Sequence, residues 1–105
     1  MDSREMYKAA EHLGSLVIWE KDWIHFGTGD GIKFDLLKKL FEDFFTGEDF
    51  LFIHGRTNSG EYKNEDFFSI TEQFLGTENF EIWSVKMDKA IMFNKIGILL
   101  LGRKK

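Results

Sequence analysis

The chain has 105 residues, the usual size of one domain, and its 43% hydrophobic content with 12 Phe is enough to bury a core built largely of aromatic rings. It contains no Cys and no Pro, which excludes disulfides, thiolate nucleophiles and Cys-based zinc sites and argues against a Pro-rich linker. Net charge is −4, unevenly spread: residues 42–82 carry −8 and residues 83–105 carry +5, an acidic middle that repels a nucleic-acid backbone and attracts a basic partner.

The chain opens Met1-Asp2-Ser3-Arg4-Glu5, with acid where a signal peptide carries bases and then apolar residues. The longest apolar runs, such as Ile98 to Leu101, are far short of the roughly 20 residues of a membrane span. A cytoplasmic protein without a membrane partner is the expectation. Ser3 is placed to cap a first helix, with Met6, Ala10 and Leu13 as its apolar stripe and Gly14 as its stop. Leu16-Val17-Ile18-Trp19 reads as a buried strand, and Trp23-Ile24-His25-Phe26 as a second short strand or an ordered loop.

Gly27-Thr28-Gly29-Asp30-Gly31 is a turn leading to the clearest helix, in which Phe34, Leu37, Phe41 and Phe44 share a face widened by Leu36, Leu40 and Phe45. Gly47 ends it. Phe50-Leu51-Phe52-Ile53 is apolar throughout, as a strand covered on both faces should be. Residues 54–64 have turn composition. Asn64 is placed to cap a third helix with Phe67, Ile70 and Phe74 inward and Gly76 past its end. Phe80-Glu81-Ile82-Trp83-Ser84-Val85 alternates as a half-covered strand, Asp88–Asn94 is a short helical turn or a strand, and Ile96–Leu101 is a buried central strand next to Phe50–Ile53. Gly102–Lys105 is expected as a mobile basic tail.

The predicted fold is a single α/β domain over residues 1–105, ordered α-β-α-β-α-β-β, with a mixed sheet of about four strands and three helices packed on it. Two parallel β-α-β units are expected, from Trp19 to Phe50 and from Ile53 to Phe80. The last strand is expected to be antiparallel.

Chemistry-bearing patterns are sparse. The Gly27–Gly31 run lies where a phosphate cradle would sit, but no Lys-Ser/Thr follows it and Asp30 would oppose a phosphate. His12, His25 and His54 show no i, i+4 ligand pair. His25 and His54 follow strands expected to be neighbours and would meet at one sheet end. Ser59 sits in a turn, not a nucleophile elbow. No metal or cofactor is expected.

The reading these patterns favour is a non-enzymatic protein-binding domain, of the kind exemplified by bacterial immunity or antitoxin inhibitors that neutralise a basic, nuclease-like toxin. Glu48, Asp49, Glu61, Glu65 and Asp66 would face the basic partner, with Tyr62 or Trp23 as an apolar anchor. Two alternatives stand beside it. One is a small enzyme or ligand-binding domain using the Gly27–Gly31 and His54–Gly60 loops. The other is an accessory homodimer whose apolar final strand completes a shared sheet.

Overall fold

The computed structural model describes residues 2–104, apart from the side chains of Arg56 and Thr57. Among these residues the elements are α1 (Ser3–Gly14), β1 (Val17–Trp19), β2 (Ile24–His25), α2 (Phe34–Phe45), β3 (Phe50–Ile53), α3 (Gly55–Asn58), β4 (Gly60–Tyr62), α4 (Phe67–Thr71), β5 (Phe80–Ser84), β6 (Lys89–Asn94) and β7 (Ile98–Lys104). They form a mixed domain of helices and strands, and its sheet is larger than the four strands expected from sequence. Seven strands lie in the order β1-β7-β6-β5-β3-β4, with β2 also paired to β7 beyond β1.

Every pairing is antiparallel, so the expected parallel β-α-β units do not form. The reason differs for the two. Between Ile53 and Phe80 the chain spends Gly60–Tyr62 on an extra strand, β4, which reverses its direction. The 64–79 segment then recrosses the face before β5 descends beside β3. Across α2, β2 and β3 do point the same way, as a crossover requires, but β7, β6 and β5 lie between them. For the same reason β3 does not neighbour the final apolar strand.

Alternation assigns each face its own core. On one face Phe50, Phe52, Phe80, Ile82, Ile91, Phe93 and Leu99 meet Leu37, Phe41, Phe44 and Phe45 of α2, Phe67 of α4, and Phe26 and Leu75. The rings are closely fitted: Phe41 stacks on Phe67 at 4.0 Å and Phe80 on Phe93 at 4.6 Å between centroids. On the other face Leu51, Ile53, Trp83, Ala90 and Val17 meet Met6 and Ala10 of α1. The all-apolar Phe50–Ile53 run is therefore buried on both faces, as its composition requires.

Local details depart from the sequence expectations for identifiable reasons. Asp2, not Ser3, caps α1, accepting from the Glu5 N–H at 2.8 Å. The Ser3 hydroxyl accepts instead from the Ser59 N–H at 2.9 Å, tying α1 to the end of α3. Asn64 does not cap a helix; its side chain donates to the Glu48 carbonyl. Leu16–Trp19 is an edge strand rather than a buried one, with Ile18 57% exposed. Ile96, 66% exposed, lies in the β6–β7 turn, while Leu99 and Leu100 are buried. Gly102, Arg103 and Lys104, read from sequence as a tail, are strand residues paired with Trp19, Ile18 and Val17; Lys105 lies outside the described residues.

Candidate functional site

Four of the five acids singled out above are exposed and lie around one sheet edge, from which Glu48 turns away. β4 is the outermost strand on the β3 side, and Glu61 lies on it opposite Leu51. Asn64 fastens the turn after β4 to the turn before β3: its N–H donates to Asp49 Oδ1 at 2.9 Å and its side chain to the Glu48 carbonyl at 2.8 Å. Because Asn64 opens the 3-10 turn Asn64–Asp66, Glu65 and Asp66 are held beside Asp49. Glu48 is the partly buried member, with its carboxylate 3.9 Å from Lys89 Nζ.

The anchors expected from sequence do not join this group. The Tyr62 ring faces the large core, 6.0 Å from Phe50 and 6.4 Å from Phe52 between centroids, so it serves packing. Trp23, 41% exposed, lies between two strands that both pair with β7. That is five strand spacings from β4, roughly 24 Å. Opposite charge accumulates on the β7 side of the same sheet end, where Lys86 and Lys89 flank the β5–β6 turn and Arg103 and Lys104 close β7. The uneven charge of the sequence thus becomes a gradient across one end of the sheet.

The loops considered for chemistry are filled or separated. Gly27 takes a positive φ of 93°, and a Cβ there would overlap the Gly31 carbonyl. The loop backbone closes on itself at that point. His25 pairs with Ile98 of β7 while His54 follows β3, four strand spacings or about 19 Å apart. The strands before them are not neighbours, so the pair does not form. His54 instead packs on Phe74, with its Nε2 3.3 Å from Glu78 Oε2. Among the described residues no group of three or more His, Asp or Glu is arranged to hold a metal ion.

The structure adds a cleft that sequence reasoning passed over. On the α1 face, at the end of the sheet where β3 finishes and β5 starts, Tyr7, Ile53, His54, Asn79, Glu81, Met92 and Asn94 line a space of about 330 Å³ with Gly55, Phe80 and Phe93. Glu81 forms its floor, flanked across the ladder by Ile53 and Met92. Its Oε1 accepts the Trp83 indole N–H at 2.8 Å. Burial pushes its carboxyl above the usual carboxylate range, an effect the Trp83 hydrogen bond partly offsets. The signal was in the sequence: in Phe80-Glu81-Ile82-Trp83, alternation puts Glu81 on the same inward face as a Trp two residues on. No protein-family model, curated protein or solved structure matches the chain.

Proposed function

We propose that this is a protein-binding domain whose β4 edge recognises a basic partner. The observation that carries the reading is the convergence of Asp49, Glu61, Glu65 and Asp66, exposed, on one edge, joined through Asn64. Exposed carboxylates at a rim steer a basic surface and raise its association rate more than they add affinity. The scaffold beneath them is suited to presenting such an edge, since both faces of the sheet are closed by packed cores. An inhibitor of a basic enzyme, such as an immunity protein against a nuclease toxin, is the kind of protein this reading describes. Trp23 is set aside as part of this surface by its place at the other side of the sheet.

The test is kinetic. A photo-crosslinker at position 61 captures the partner, and association is then measured by surface plasmon resonance against the chain and against E61K/E65K/D66K. The reversals are expected to slow association strongly at low ionic strength and much less at high salt, because rim charges are screened within a Debye length of about 10 Å at 0.1 M. An association rate unchanged by the reversals at low salt sinks the reading.

A further inference from the structure

We propose that the cleft over Glu81 is a binding site for a primary ammonium group carried on a short aliphatic stem. The proposal is independent of the β4 edge and begins with an unmatched acceptor. Among the described residues Glu81 has one hydrogen bond, to Oε1, and no cation paired with it. Among these residues no fully buried polar side-chain atom is left without a partner, so Oε2, which has none, is accessible in the cleft that Glu81 lines. A carboxylate held in a partly buried site without a counter-charge is costly, and a cation entering the cleft removes that cost.

The walls select the kind of cation. Ile53, Met92 and Tyr7 supply apolar surface for a stem. Competing acceptors are already engaged: Asn79 Oδ1 receives the Lys95 N–H at 2.8 Å and Asn94 Oδ1 the Ile96 N–H at 3.1 Å. Among the described residues that line the cleft Glu81 is the one carboxylate, and none of them is Lys or Arg. A guanidinium binds best as a two-pronged fork to both carboxylate oxygens. With Oε1 held by Trp83, one oxygen remains, which suits the point charge of an ammonium. The volume, about 330 Å³, is at the lower end of small-molecule sites. It fits one amine or one lysine side chain rather than a large cofactor.

The experiment is an NMR titration of the isotope-labelled chain with butylammonium, with butanol, and with an acetylated, amidated Gly-Ser-Lys-Ser-Gly peptide. Butylammonium is expected to shift the amide signals of Glu81, Met92 and Asn94 saturably, and butanol at least tenfold more weakly. Glu81→Gln keeps an acceptor for the Trp83 indole, whose N–H signal reports the intact fold, and is expected to weaken butylammonium at least tenfold. Binding of the peptide as well assigns the site to a partner's lysine; binding of butylammonium without the peptide assigns it to a free small amine. Both outcomes support an ammonium site. Signals unmoved by butylammonium, equal shifts with butanol, or full binding retained in Glu81→Gln overturn it. E61K/E65K/D66K is expected to bind butylammonium as the parent does; loss of binding there would place the amine at the β4 edge and overturn the assignment to Glu81.

Discussion

Gly102 lies directly beneath the Trp19 ring: a Cβ added there would stand 2.6 Å from Trp19 Cε3 and 2.6 Å from Val17 Cγ1. The backbone of β7 is thus the seat on which β1 rests, and the indole is fixed at its other end by a 3.1 Å hydrogen bond from Nε1 to the Gly14 carbonyl. Gly102→Ala is expected to lift β1 from β7 and cost about 1–3 kcal/mol, the usual range for overpacking. Chemical denaturation measures the loss, and hydrogen exchange should localise it to Val17–Trp19. Unchanged stability would show that β1 yields without cost.

Ser84 organises the β5–β6 turn. Its buried hydroxyl donates to Asp88 Oδ1 at 2.6 Å and accepts from the N–H groups of Asp88 and Lys89 at 3.1 and 3.3 Å. The turn carries Met87 at a φ of 57°, a conformation that a side chain adopts at some cost. Ser84→Ala strands these partners and is expected to destabilise by about 1–3 kcal/mol.

The same hydrogen bond from Ser84 holds the Asp88 carboxyl below its ordinary range, with Lys89 and Lys86 adding to the effect against a smaller opposing one from burial. A depressed folded-state value stabilises above the unfolded one, near 3.9, and that contribution is lost as pH falls through the folded value. Asp88 is largely exposed, so the effect is small. Asp88→Asn is expected to remove it, narrowing the difference in denaturation midpoint between pH 5 and pH 2; an unaltered difference would refute the link.

Glu81 has the opposite sign. Burial raises its carboxyl value, so between the unfolded value, about 4.3, and the folded one the native state holds the extra proton. Stability from this group therefore falls as pH rises through that window, and the whole penalty is present above the folded value. Glu81→Gln keeps the Trp83 hydrogen bond and removes the titration. It is expected to equal or exceed the parent in stability at pH 7 and to lose that advantage below pH 4. A variant less stable than the parent at pH 7 would contradict this account.

The Phe41–Phe67 stack joins α2 to the short α4. Phe67 also meets Phe50 edge-on at 5.9 Å. Phe67→Ala is expected to cost about 3–5 kcal/mol, a large share of the 5–15 kcal/mol typical of a whole domain. Phe67→Leu should recover much of it; equal losses in the two variants would mean that ring volume is not what α4 contributes.

Much of the framework was legible because it rests on local periodicity. The Phe34–Phe45 helix, the doubly covered Phe50–Ile53 strand and the alternating Phe80–Ser84 strand follow from side-chain spacing alone. Strand order and direction did not, because pairing is set by contacts distant in sequence. Nothing near Gly60–Tyr62 announces an edge strand: one of its three residues is Gly and another is Glu. The acids of the β4 edge were visible individually, but their junction through Asn64 and their separation from Trp23 are consequences of topology. Glu81 is one of the acids behind the −8 of residues 42–82, and composition does not show which carboxylate the sheet will turn inward.

The pairing of β7 also sets an order of assembly. β1 and β2 find their ladder partner only in β7, and β3 meets β5 only after the intervening 64–79 segment has been made. On the ribosome, residues 17–25 must therefore wait until Ile98–Lys104 has emerged, with Val17, buried in the finished fold, facing water meanwhile. The full sheet cannot be completed before β7 is available, and a chain stalled before β7 leaves the backbone groups of β1 and β2 without their ladder partner.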